Sequence, residues 1–255
     1  MFRQFFIIYL LIHILGDYYF QSEQLAEEKS RSLKKVLRHD LIYLLVALVL
    51  CLPVFTWDIL ISVIAFSLLH ALIDLDKYGM MKKYHERGLT DKGRSTIYLL
   101  DQGLHLFCIF GIALLMTLLR AEVYLPSRMS ILIEHTGIDL YGILIWIVML
   151  LLIFKPANIT IKQLLYAYRP GETDELQEGH KNAGAFIGSL ERLIILIFLS
   201  LGQFSAIGLV LTAKSIARYN RIAEDKKFAE YYLLGTLLST VFVIGGFLII
   251  TRFGY

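Results

Sequence analysis

Six long runs of apolar residues constrain this chain more than any other feature. They cover 2–20, 41–55, 57–75, 97–119, 137–154 and 228–250. A helix needs about 20 such residues to cross a hydrocarbon core of about 30 Å, and in lipid every backbone polar group must be satisfied internally. The chain is therefore expected to be all-α, a polytopic transmembrane helix bundle with the lipid bilayer as its partner. Composition agrees, with 57% of the 255 residues hydrophobic and 18% charged, against about 45–50% and about 25% in soluble domains. That excludes an ordinary soluble enzyme and a disordered tail. The net charge is only +3, and the 25 Lys and Arg form no continuous stripe, so no nucleic acid partner is expected. Cys51 and Cys108 lie inside apolar runs, which gives neither a disulfide framework nor a thiolate metal site.

Basic residues set the orientation, because cytoplasmic loops are enriched in them. The segment 21–38 holds Lys29, Arg31, Lys34, Lys35 and Arg38, and 76–96 holds Lys77, Lys82, Lys83, Arg87, Lys92 and Arg94. By contrast, 53–58 has none and 120–136 only Arg120 and Arg128. The first and third loops are thus expected inside. The first run is broken by His13 and Asp17 and lacks a small-x-small cleavage site, so it reads as a retained span. Pro53 and Asp58 mark a tight turn between the second and third runs. The stretch 184–213 is either one long span or a hairpin about Gly202-Gln203; only the hairpin keeps the cluster Lys214, Arg218, Arg221, Lys226 and Lys227 inside. The expectation is about eight membrane segments with both termini outside. The polar segment 155–183 separates a five-span unit, 1–154, from a three-span unit, 184–255. A short interfacial helix is expected at 159–168, the charged run 170–181 follows it, and His85 and His180 read as solvated. Tyr18, Tyr19, Trp57, Tyr231 and Tyr232 near span ends suit an aromatic belt.

Ionisable residues inside membrane helices are functional candidates by default. Here they recur at one spacing. His13 and Asp17, His70 and Asp74, and Asp101 and His105 each stand four apart, on one helix face. Chance gives roughly half of one such pair in a chain of this composition. A fourth pair, His135 and Asp139, falls at the opposite end of the fifth span and serves as a control. Loop charges alone put the other three at the cytoplasmic side, with His39 and Asp40 opening span two at the same level. Imidazole and carboxylate without thiolate suit a divalent transition metal, zinc or manganese foremost, as one or two ions. The expected ligands are His13, Asp17, His70, Asp74, Asp101 and His105. His39, placed at the mouth of such a site, is the expected general base or a further ligand. Asp40 and Gln102 would orient an imidazole, and Gly16 and Gly103 would allow close helix approach.

The C-terminal unit carries Glu191, Arg192, Gln203, Lys214, Arg218 and Glu230. These read first as a charged network holding spans together, and second as a cationic pocket for an anionic headgroup.

The N-terminal pattern has a recognisable form. His13-x-x-Gly16-Asp17 followed by Gln21, then His39, His70-x-x-x-Asp74 and Asp101-Gln102-x-x-His105, resembles the bacterial membrane family known as domain of unknown function 3307, over about residues 1–120. The segment from Gly188-x-x-Glu191-Arg192 through Lys214 to Ala229-Glu230-Tyr231-Tyr232 looks like the C-terminal extension of its longer members. The resemblance implies a multi-pass protein of the bacterial cytoplasmic (inner) membrane and carries no established activity. A fainter likeness to membrane-bound metal-dependent hydrolases is present, from whose His-rich spacing this sequence departs. Three functions fit these residues. The first is a metal-dependent hydrolase of a lipid-linked ester or phosphoester, with a lipid headgroup as substrate. The second is a proton- or ion-coupled transporter. The third is a membrane scaffold in which the His–Asp pairs only join helices.

Overall fold

The computed structural model describes residues 1–88, 90–168 and 183–254, which are helical with no strand among them. Two compact units divide the chain, residues 1–148 together with 252–254, and residues 149–251.

In the first unit, α1 (Phe2–His13) passes into a π-helical turn (Ile14–Tyr19), and α2 (Glu23–Lys29) then leaves at a bend of 91°. The Ser22 hydroxyl accepts from the Leu25 N–H at 3.2 Å and caps α2. Next come α3 (Leu33–Cys51), a 3-10 turn containing Pro53, and α4 (Trp57–Arg87), which Thr56 caps in the same way. Beyond Gly88, which has a left-handed φ of 76°, Thr90 caps α5 (Asp91–Leu118). Helix α6 (Ser127–Thr136) and the first part of α7 (Leu140–Leu164) complete the unit. The helices pack α3 on α4, α4 on α5 and α1 on α5. Ile7, Ile12, Tyr43, Ala47, Val63, Phe66, Ile109 and Ala113 are fully buried between them. Leu41, Leu45 and Val49 on α3, Leu52 in the turn after it, and Ile61, Leu68 and Leu72 on α4 stay exposed. An apolar outer face of this kind suits lipid rather than water.

In the second unit, α7 continues, and α8 (Ala183–Ser200) breaks at Gly202 (φ 68°) into α9 (Phe204–Ala217), which packs back on it. This is the hairpin alternative. Helices α10 (Tyr219–Glu224) and α11 (Lys226–Gly254) follow. Among the described residues, five helices are long and apolar enough to cross a membrane, or six if the bent pair Phe2–Tyr19 and Glu23–Lys29 forms one span. Helix α9, of 14 residues, reaches only about 21 Å.

Three local expectations change. The segment 76–96, expected as a loop, is helical except at the α4–α5 connection, because charge ended the apolar run without breaking the helix. The segment 120–136 contains α6. The interfacial helix expected at 159–168 is the continuation of α7 through Pro156 to Leu164, followed by a 3-10 turn at Tyr166–Tyr168. The charged run 170–181 and His180 lie outside the described residues.

The expected charged network of the second unit is only partly ionic. Lys214 donates to Glu191 at 2.6 Å. Buried Arg192 instead donates to neutral groups: the Ile153 carbonyl at 2.6 Å, Asn158 Oδ1 at 2.5 Å, and the Ser189 and Ser239 hydroxyls at 3.2 Å. Glu230 is exposed. Arg192 joins α7, α8 and α11 by hydrogen bonds, which explains its tolerance of burial.

Candidate functional site

The π-helical turn after α1 positions the first ligand-type side chains. Such turns recur at functional sites because an extra residue re-aims the side chains around it. Gly16 lies within it against the ring of Tyr43, and a Cβ there would overlap that ring. His13 and Asp17 flank this contact. Helix α3 contributes His39 and Asp40, one turn before Tyr43. Helix α4 contributes His70 and Asp74 one turn apart, and α5 contributes Asp101, Gln102 and His105. Tyr43 stacks on His70 with centroids 3.7 Å apart, so the close approach at Gly16 also fixes the plane of an imidazole.

These side chains converge. Asp17 is the hub: its Oδ1 lies 2.8 Å from His70 Nε2 and 3.0 Å from His39 Nε2, and its Oδ2 lies 3.8 Å from His13 Nδ1. His39 Nε2 is also 3.5 Å from Asp74 Oδ2. The opposite nitrogen of His70, Nδ1, faces Asp40 Oδ1 at 3.5 Å. On α5 the His105 Nδ1–H donates to the Asp101 carbonyl at 2.8 Å. That bond fixes the tautomer and leaves Nε2 as a buried lone pair without a hydrogen-bond partner. The His105 ring lies 4.6 Å from His70 and 4.9 Å from His13, centroid to centroid. His13, His39, His70, Asp74, Asp101 and His105 are each at most 2% exposed.

Among the described residues, three groupings have ligand-type atoms within 4.8 Å of one another: His39, Asp40, His70 and Asp74; His13, Asp17 and His70; and Asp74, Asp101 and His105. Together they take in every candidate site residue from the sequence. At metal–ligand distances of about 2.1 Å, adjacent ligand atoms stand about 3.0 Å apart in an octahedral shell and about 3.4 Å in a tetrahedral one. The Asp17–His39 separation of 3.0 Å falls in that range, with Asp17–His70 at 2.8 Å just below it and His39–Asp74 at 3.5 Å just above; ordinary hydrogen bonds span the same distances.

Two members were not singled out from the sequence. Lys29, counted there as a loop charge, is 8% exposed, and its ammonium pairs with Asp74 Oδ2. Lys77 donates to Asp101 Oδ2 at 2.6 Å. The available signal for Lys77 was its place one turn after Asp74 on the same helix. Lys29 had no such signal, because the bend before α2 brings it back to the cluster. Four carboxylates against two ammonium groups leave two negative charges among these side chains when the imidazoles are neutral.

Other placements differ from expectation. His39 is fully buried beside Asp17 and does not sit at a mouth. Gly103 is exposed, with no neighbouring helix close to where a Cβ would stand. Tyr18 is 7% exposed, donates to Gln102 Oε1 at 2.6 Å and meets the Tyr98 hydroxyl at 3.0 Å, so it braces the cluster rather than the membrane interface. Gln102 also donates to Asp101 Oδ2 at 3.0 Å and lies 3.4 Å from His13 Nε2. The control pair is separate: Asp139 accepts from the Gly142 N–H at 2.9 Å at the start of α7, and His135 is exposed on α6.

The family described as Protein of unknown function (DUF3307) matches residues 5–133. The chain belongs to this family. The matched segment contains every residue of the His/Asp/Lys cluster, whereas the second unit lies beyond it. No curated protein and no solved structure matches the chain, so the fainter hydrolase likeness finds no support in these comparisons.

Proposed function

We propose that this DUF3307 member is a multi-pass protein of the bacterial inner membrane that holds a divalent transition metal, zinc or manganese, and hydrolyses a lipid-linked phosphoester. Its eight membrane segments leave both termini outside, with the cluster towards the cytoplasm. The observation that carries the reading is His70, held between two carboxylates. A neutral imidazole points one lone pair at an oxygen, at Asp17 on one side or at Asp40 on the other. A cation held by His70 and Asp17 would remove the conflict and leave Asp40 behind the imidazole, where a carboxylate is the usual second layer of a metal site. With the imidazoles neutral, the two negative charges left among these side chains favour a cation as well.

Asp17, His39 and His70 are the primary ligand set, with Asp74 completing it. His39 thus acts as a ligand rather than as the general base. His13, Asp101 and His105 supply donors for a second ion, which must displace Lys77 from Asp101, just as the recruitment of Asp74 by the first must displace Lys29. A bound divalent ion supplies Lewis acidity towards a phosphoryl oxygen and brings the pKa of water near neutrality.

A scaffold reading draws on the Lys29–Asp74 and Lys77–Asp101 pairs, which join helices without any metal. Hydrolysis separates the two. Detergent-purified protein loaded with zinc or manganese is expected to release the headgroup from at least one of a panel of phospholipids and prenyl phosphates. His39→Ala is expected to lower the rate at least about 100-fold, and a chelator to abolish it. A metal-loaded, folded protein inert across the panel overturns the hydrolase reading.

A further inference from the structure

Next to the cluster, at the cytoplasmic end of α4, lies an open-sided cavity of about 320 Å³ lined by Ser30, Arg31, Tyr78, Lys82 and His85. This is at the lower end of the range for small-ligand sites, about 300–1,000 Å³. Among the described residues its lining is chemically one-sided, with three groups able to carry positive charge, two hydroxyls and no carboxylate. Arg31, Lys82 and His85 are exposed, and none has an ion-pair partner among the described residues. Lys35 nearby differs, being paired with Glu28.

The cavity is tied to the cluster by chain geometry. Ser30 and Arg31 directly follow Lys29, whose ammonium sits on Asp74. Tyr78 stands one turn beyond Asp74 on α4, and Lys82 one turn beyond Tyr78, all on one face. Along the helix axis Tyr78 therefore stands about 6 Å and Lys82 about 12 Å beyond the buried Asp74. Two residues past Arg31, α3 opens with Leu33, Leu37 and Leu41, exposed at four-residue spacing. That stripe offers an apolar track beginning beside a cationic pocket.

We propose that this cavity binds a phosphate group, with Arg31 and Lys82 as its main contacts and the Tyr78 and Ser30 hydroxyls as further hydrogen-bonding groups. A phosphate carries between one and two negative charges and three acceptor oxygens. Guanidinium matches two of those oxygens at once, and ammonium and hydroxyl groups take the others. As the docking point of a phosphorylated substrate, the cavity rests on the hydrolase reading; as a phosphate site, it is tested without it.

The test is a binding titration of the full chain in detergent at 0.15 M salt, where loose surface attraction is screened. The probes are dioctanoyl phosphatidic acid, inorganic phosphate and dioctanoylglycerol, and metal content is measured on the same samples. Phosphatidic acid is expected to bind and dioctanoylglycerol not. R31A and K82A should each weaken binding about tenfold, whereas K83A, outside the cavity, should not. Tighter binding of phosphatidic acid than of inorganic phosphate assigns a lipid headgroup. Equal binding of the two supports the same site with a soluble phosphate ligand. Binding that K83A weakens as much as K82A, or that neither R31A nor K82A weakens, overturns the pocket whatever the metal content. Binding that obeys these rules in folded protein unable to hold metal supports the pocket and overturns only the hydrolase reading.

Discussion

Asp17→Asn is expected to remove the bound metal while leaving a folded protein. The substitution keeps the shape of the side chain and one carbonyl oxygen, but it removes the negative charge that His39 and His70 share at 3.0 and 2.8 Å. Loss of an outer group behind a ligand costs about 10–100-fold in metal affinity. Loss of the hub carboxylate should cost at least about 100-fold, so that purified Asp17→Asn protein carries less than about a tenth of the wild-type metal. A thermal unfolding curve run beside the metal assay separates this from misfolding. Metal retained at the wild-type level in Asp17→Asn removes Asp17 from the ligand set.

The second large effect concerns Lys29. Its pair with Asp74 is buried, with the two side chains 10% and 1% exposed. Removing one partner of a buried pair strands the other charge, at a cost of about 3–5 kcal/mol. Lys29→Met, measured with chelator present, should therefore unfold about 10 °C below wild type. The double substitution Lys29→Met with Asp74→Asn removes the stranded carboxylate and should recover most of the loss. Two single substitutions that each cost little would mean that water reaches the pair and that α2 does not close the cluster.

The sequence carried the His/Asp part of the cluster because helical periodicity is local. Three pairs at four-residue spacing each fix a shared face, and the loop charges bring those faces to one end of the bundle. No local pattern encodes the 91° bend before α2, so Lys29 read as one more loop cation. The same limit applies to Tyr18. It follows Asp17 in a π-helical turn whose phase differs from that of an α-helix, and an amphiphilic residue near a span end is indistinguishable in sequence from a belt residue. The length of α4 was obscured for another reason: Lys77, Lys82 and Lys83 end the apolar run, but they are good helix formers, and the helix continues to Arg87. Arg192 and Glu191 are adjacent in sequence and read as one ionic unit. They turn to different partners because neighbours in a helix point about 100° apart.

Metal content decides whether the His/Asp cluster is a metal site. Detergent-purified wild type, His13→Ala and His70→Ala are compared by inductively coupled plasma mass spectrometry, each checked for folding by its unfolding curve. The account predicts one or two transition-metal ions per wild-type chain, retained through size exclusion. It predicts near-complete loss in His70→Ala, whose imidazole contacts the hub carboxylate, and a smaller loss in His13→Ala, which stands 3.8 Å from it. Wild-type protein that is folded and holds no metal after incubation with zinc or manganese would contradict the account, leaving His70 protonated between Asp17 and Asp40 and the cluster a device for joining helices.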